Sequence, residues 1–93
     1  MVHAFVLVTA NPAQVADLAE ALVSIDAVAE VYSVAGPLAD IVAIVRVREH
    51  DELADVVTRQ IAALPGVMKT MTLIAFRAYS RHDLEAIWDL GPR

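Results

Sequence analysis

The sequence has no cysteine, few basic residues and no long apolar run, and each absence excludes a class of protein. Without cysteine the chain has no disulfide framework and no thiolate metal site, so it suits a reducing compartment or one where redox state does not matter. Seven basic residues stand against twelve acidic ones, which leaves a net charge of −5 with no basic cluster. Since phosphate neutralisation dominates nucleic-acid affinity, we do not expect this chain alone to bind DNA.

Membrane and export signals are lacking as well. No apolar run approaches the roughly 18 residues that a membrane span requires. The first apolar stretch, residues 4–8, is shorter than the apolar region of a signal peptide and has no basic flank. A cytoplasmic protein without membrane contact is therefore expected.

Apolar residues, by contrast, are abundant. They make up 58% of the chain, and the mean hydropathy of +0.57 is high for 93 residues. A domain of this length buries only about 60–70% of its unfolded surface, and large exposed apolar patches usually mark interfaces. We therefore predict that copies of the chain associate.

Hydrophobic periodicity predicts the element order β-α-β-β-α-β. The strands are predicted at residues 2–9, 28–35, 41–47 and 67–80. The first helix should start at Asn11, with Gln14 completing a capping box, and the second should be capped by Asp51 and end at Pro65. The buried helix faces are predicted to be Val15, Leu18, Ala19 and Leu22, then Leu53, Val57, Ile61 and Leu64.

This order predicts an α+β fold, a ferredoxin-like βαββαβ antiparallel sheet with both helices on one face. In the second strand, alternation places Val28, Glu30, Tyr32 and Val34 on one side. The sheet face without helices should remain apolar, so a sheet-to-sheet dimer is predicted. A short amphipathic tail helix should follow, with Trp88 as an anchor against a neighbouring subunit, dividing the chain into residues 1–80 and 81–93.

The loop between the second and third strands holds Gly36, Pro37 and Asp40. A bare backbone N–H beside an ionised carboxylate can hold a small zwitterion by its carboxylate and its ammonium group. In the alternative interpretation Gly36 supplies a special φ and Asp40 only ends a turn. Thr70 and Thr72 can offer hydroxyls to the same ligand, although threonine is also a common strand residue.

No metal, cofactor or nucleophile is predicted. The three histidines, His3, His50 and His82, stand at no metal-ligand spacing. Ser24, Ser33 and Ser80 lack an obvious histidine–acid relay that would activate a serine nucleophile.

Three motifs stand out along the chain: Val-Tyr-Ser-Val-Ala-Gly at 31–36, Asp40 before an apolar strand, and Leu-Pro-Gly-Val at 64–67 leading to Thr-Met-Thr at 70–72. Together they resemble the effector-binding domain of the Lrp/AsnC regulators, also called the RAM domain. The resemblance covers about residues 2–79. It implies homodimers that assemble into larger rings, often octamers, and that bind free amino acids between dimers. The ligand-binding residues it implies are Tyr32, Val34, Ala35, Gly36, Asp40, Thr70 and Thr72.

This sequence departs from the family pattern in two ways. The family usually places its acid three residues after the glycine, often with an aromatic residue between, whereas Asp40 follows Gly36 by four, with Leu38 or Ala39 in the aromatic position. Full-length members carry an N-terminal helix-turn-helix, whereas here the first strand begins at residue 2. The resemblance thus implies a stand-alone ligand-binding and oligomerisation module of transcriptional regulation, and not an enzyme.

Two other functions stay open at this point. One is a dimeric α+β barrel enzyme of the monooxygenase or isomerase type, which would need a polar residue such as His3 or His50 in a cavity between helices and sheet. The other is a purely structural subunit that co-assembles with a full-length Lrp/AsnC regulator, and that regulator would supply the DNA contact.

Overall fold

Four antiparallel strands form one sheet, and two helices cover one of its faces. The structure is a computed structural model that describes residues 1–81. The strands are β1 (Val2–Ala10), β2 (Val28–Ser33), β3 (Ile41–Val47) and β4 (Val67–Ile74), in the sheet order β2-β3-β1-β4. The helices are α1 (Val15–Val23), entered through a 3-10 turn at Pro12–Gln14, and α2 (His50–Asp55), which continues as a π-helical segment at Val56–Ile61. The predicted α+β ferredoxin-like order is confirmed, and the predicted tail helix lies outside the described residues from residue 82 onward.

The core lies between the helices and the two central strands. Every second residue of β1 and β3 points towards the helices, and antiparallel pairing puts these residues opposite one another. The fully buried strand residues are Ala4, Val6, Val8, Ile41, Ala43 and Val45, and the helices add Leu18, Leu22, Leu53, Val56 and Ile61. Within residues 1–81 no polar or charged side chain is buried, so packing in this layer is purely apolar.

The helix starts differ from the prediction in two details. Asn11 caps as predicted, since its side-chain oxygen accepts a hydrogen bond from the N–H of Ala13 at 3.0 Å. Gln14 does not complete a capping box, because its side chain lies beside Gly66 instead. Asp51 is not the cap of α2 either: the helix begins earlier, with Glu49 at the N-cap position, so Asp51 falls inside the first turn. There its charge suits the helix dipole without a capping bond.

A bulge in β2 changes which residues of this strand share a face, so one prediction about them is wrong. Val28 lies opposite Val45 and Glu30 lies opposite the very next residue, Ile44, so one extra residue is inserted in β2. Val28 therefore turns to the buried side, whereas Glu30 and Tyr32 stay on the other face. The prediction that Val28 shares a face with Tyr32 is wrong for this reason. The predicted strands also run too long, since β2 ends at Ser33 and β4 ends at Ile74.

The π-helical segment changes which residues of the second helix are buried. The N–H of Ala62 donates to the carbonyl of Val57 at 2.9 Å, a step of five residues. Val56 and Ile61, also five residues apart, are both buried, whereas the predicted Val57 is only partly buried. The normal helical period used in the prediction does not apply here.

Candidate functional site

Asp40 fastens the hairpin loop to the end of β1. Its backbone N–H donates to the carbonyl of Val8 at 2.9 Å, and its carbonyl accepts from the N–H of Val34 at 2.9 Å. Its side-chain Oδ2 accepts from the N–H of Ala10 at 2.8 Å. The carboxylate is therefore held in a defined position, and Oδ1 forms no hydrogen bond within the described part of the chain.

Replacing Asp40 by alanine should lower the free energy of unfolding, because the N–H of Ala10 loses a charged acceptor. A hydrogen bond to a charged group contributes about 1.5–3 kcal/mol, and the partial exposure of this bond favours the lower end. Asp40→Asn keeps an acceptor oxygen and should cost less. Urea unfolding measures both, with Asp26→Ala as the control, since Asp26 is exposed and its side chain makes no hydrogen bond within residues 1–81. Equal stability of Asp40→Ala and wild type would contradict this role.

Gly36 is not a glycine that the backbone requires. Of the described glycines only Gly66 has a positive φ, at 97°, so the interpretation of Gly36 as a source of a special φ is wrong. A Cβ built on Gly36 would meet nothing within 4 Å. The backbone of Gly36 therefore borders open space, and another molecule can approach it closely.

The predicted site residues fall into separate groups within one chain. Gly36 and Asp40 share the hairpin loop, as predicted, and Val34 and Ala35 also belong to it because β2 ends at Ser33. Tyr32 lies on outer strand β2, facing away from the helices, and its hydroxyl donates to Oε2 of Glu30. This bond and the negative charge of Glu30 raise the pKa of Tyr32.

The two threonines lie on the other outer strand, on the helix side of the sheet. Thr70 pairs with Val8 and Thr72 with Val6, so both point the same way as the core residues of β1. Thr70 is at the loop end of the sheet, and it is separated from the β3 end by two strand spacings of about 4.8 Å each. One chain therefore does not bring Tyr32 and the threonines together, and they can share a ligand only across two copies.

The sheet face away from the helices is apolar at its centre and has no cover within residues 1–81. We call it the open face, and its central residues are Phe5, Leu7, Val42, Ile44, Met71 and Leu73. Phe5 is 40% exposed, Met71 42% and Leu73 51%. This uncovered apolar face was expected from the sequence, and it is the feature that most requires a partner.

An acidic groove lies at the start of α2, and it was not predicted from the sequence. It has a volume of about 500 Å³ and is lined by Asp26, Asp51, Glu52 and Asp55 among others. The run of acids at 51–55 was its sequence signal, but the contribution of Asp26 depends on the fold. No group of three or more His, Asp or Glu side chains in the described residues is placed to hold a metal ion.

Neither histidine named for the barrel-enzyme alternative lies between the helices and the sheet. His3 pairs with Arg46 on the open-face side, and His50 is exposed at the start of α2. As for membranes, none of the helices described here is both long and apolar enough to cross one.

Comparisons with known proteins agree with this geometry. The protein TTHA0845 from Thermus thermophilus is similar in structure with a TM-score of 0.80 and 52% identity, covering 87% of this chain and all of that one. The leucine response regulatory protein LrpA of Mycobacterium tuberculosis has a TM-score of 0.72 and 32% identity, and AsnC of E. coli has 0.77 and 26%. Each of these two matches covers 85% of this chain and 53% of the regulator, so the chain spans about half their length.

No curated protein matched the chain in sequence. The family model for the Lrp/AsnC ligand binding domain, however, matches residues 3–84. This range includes the hairpin loop, both helices and all four strands except the first residue of β1. It confirms the resemblance that the sequence motifs carried. The chain thus belongs to the Lrp/AsnC ligand-binding domain family, and it is a regulatory ligand-binding domain.

Proposed function

We propose that the domain binds a free amino acid, or a closely related metabolite, and that it does so as a homo-oligomer in transcriptional regulation. The observation that carries this proposal is the fixed carboxylate of Asp40 with its free Oδ1, in the same loop as the open backbone of Gly36. Together they offer an acceptor for an ammonium group and a donor for a carboxylate. The similar protein from M. tuberculosis is named a leucine response regulatory protein, which supports an amino acid as the ligand.

Pairing through the open face supplies the oligomer. Two sheets packed face to face lie about 10 Å apart and interdigitate their side chains. Phe5, Met71 and Leu73 would then lose most of the exposure that they have in one chain. A twofold pair uses the same surface on both copies, so the open face of each copy is sufficient to form the dimer. We propose that such dimers assemble further, into an octamer, and that the ligand lies between dimers.

The helix side of β4 is the surface for this further contact. Ile74, on this side of β4, is 47% exposed. Thr70 and Thr72, on the same side, are partly buried and present hydroxyls. A neighbouring dimer that packs its hairpin loop here would bring Gly36 and Asp40 against the two threonines and would enclose a small ligand.

Isothermal titration calorimetry of the intact protein against the twenty amino acids tests the binding function. One or a few amino acids should bind with modest affinity, because even the best small ligands gain at most about 1.5 kcal/mol per non-hydrogen atom. Asp40→Asn should weaken binding by at least about tenfold, since it removes a charge-assisted hydrogen bond of about 1.5–3 kcal/mol.

The control is Asp26→Asn, an exposed acid outside the loop, which should bind as wild type does. If no amino acid gives a heat of binding while light scattering shows an intact oligomer, the assignment of an amino acid as ligand is overturned. If Asp40→Asn binds with the affinity of the wild type, the domain still binds an amino acid, but Asp40 is not part of the binding site.

A further inference from the structure

The open face carries a groove at the end where β1 starts and β3 ends. Its volume is about 430 Å³, and its lining includes His3, Phe5, Ile44, Arg46, Arg77 and Tyr79. Phe5 and Ile44 are directly paired across β1 and β3, so they form an apolar floor. His3 and Arg46 are the next pair in the same direction on this face, so the floor ends in a cationic rim.

The cations of this rim have no partner in the described chain. The salt bridge found within residues 1–81 joins Arg59 to Asp55, and neither Arg46 nor Arg77 forms one. Glu30 also lines the groove, and although its carboxylate accepts the hydroxyl of Tyr32, it keeps one negative charge against the two positive charges of the arginines. The groove therefore has an excess of positive charge in a chain whose net charge is −5.

Pairing through the open face makes this excess a problem. A second sheet would shield Arg46 and Arg77 from water, and Glu30 supplies a counter-charge for only one of them. A shielded charge without a counter-charge is strongly destabilising. The occupant of the groove must therefore bring carboxylates for the rim and apolar side chains for the floor. This requirement rests on the sheet pairing proposed above.

The last residues of the chain have this chemistry. Residues 82–93 hold the acids Asp83, Glu85 and Asp89 and the apolar side chains Leu84, Ile87, Trp88 and Leu90. The segment follows directly on residues 77–79, which line the groove themselves. To enter its own groove, the chain would have to reverse within residues 80–82, which contain no glycine or proline. A second copy meets no such restriction.

We propose that the groove of each copy receives residues 82–93 of a second copy, with the acids of the segment against Arg46 and Arg77 and its apolar side chains on Phe5 and Ile44. In a twofold pair each copy gives one segment and receives one. The exchange neutralises the cationic rim at the moment when the sheet pairing shields it. It makes the end of the chain part of the dimer interface.

Trp88 makes this proposal measurable, because it is the single tryptophan of the protein and lies within the proposed segment. In the full-length dimer its fluorescence should have a blue-shifted maximum and should resist quenching by acrylamide. The double variant Arg46→Glu with Arg77→Glu should shift the maximum to the red and make Trp88 accessible to acrylamide. Adding Asp83→Lys and Glu85→Lys to that variant should restore the blue shift.

Arg59→Glu is the matched control, since it reverses the charge of an arginine on the second helix, on the covered side of the sheet and away from the groove. It should leave Trp88 unchanged, and circular dichroism should show that every variant is folded. A dimer whose Trp88 is water-exposed would overturn the segment exchange and would leave the sheet pairing intact. A monomer would overturn the sheet pairing, and a shielded Trp88 in that monomer would place the segment in its own groove, also contrary to the proposal.

Discussion

Replacing Leu73 by aspartate should convert the dimer into folded monomers, whereas the same change at the adjacent Ile74 should leave the dimer intact. The two side chains are matched closely in exposure, at 51% and 47%. They differ in direction, since Leu73 pairs with Phe5 on the open face and Ile74 pairs with Ala4 on the helix side. A difference between the two variants therefore reports the face of the sheet on which the charge lies, because the general effect of a new charge is the same in both.

The expected effect is large because symmetry doubles it. A carboxylate placed in an apolar interface must lose its water without gaining a partner, and in a twofold pair each change occurs on both copies. If each copy loses about 1.4 kcal/mol or more, the dimer dissociation constant rises by at least about a hundredfold. Sedimentation velocity over a concentration series measures this change.

Circular dichroism and urea unfolding of both variants provide the necessary check on folding. Leu73 and Ile74 both lie on outer strand β4 and are half exposed, so both variants should fold. Loss of the dimer in both variants, or in neither, would argue against pairing through the open face.

The second large effect is expected at Gly36. Gly36→Leu should weaken amino-acid binding by at least about tenfold, because a side chain would fill the space through which a ligand reaches the backbone N–H, and loss of one such bond to a charged group costs about 1.5–3 kcal/mol. Stability should not fall, because a Cβ at this position meets nothing within 4 Å and φ is not positive. Pro37 also restricts residue 36 to extended conformations that leucine adopts readily.

Two variants serve as controls for Gly36→Leu. Ala16→Leu adds an exposed leucine on α1 and should bind as wild type does. Gly66→Ala should show the opposite pattern to Gly36→Leu, with a loss of stability of about 1–2 kcal/mol, because Gly66 has a φ of 97° and its added Cβ would lie 3.2 Å from Oε1 of Gln14. Full affinity in Gly36→Leu would remove this glycine from the ligand site.

Much of the fold could be predicted because most elements follow a regular period. The alternation in β1 groups Val6 and Val8 on one face of the strand, and this face is the buried one. The errors occur where the period breaks. An extra residue in β2 turns Val28 over, and a five-residue step in the second helix buries Val56 in place of Val57. Both depend on how neighbouring elements pack, which a local pattern does not contain.

The candidate site is less predictable than the fold for a related reason. The loop with Gly36 and Asp40 is local, and the sequence motif identifies it. The bond from Ala10 to Asp40 joins residues 30 positions apart, and no local signal indicates it. Tyr32 and Thr70 lie on opposite outer strands, so a shared ligand would require a second chain. The sequence indicates such a second chain only by its excess of apolar residues.

Sedimentation equilibrium of the wild-type protein at low micromolar concentration tests most directly whether copies pair through the open face. The mass of one chain is 10.0 kDa, so pairing through the open face predicts a species of twice that mass or a larger even multiple. A well-folded species of 10.0 kDa across the whole concentration range would leave the open face uncovered, and it would contradict both the dimer and the ligand site between dimers.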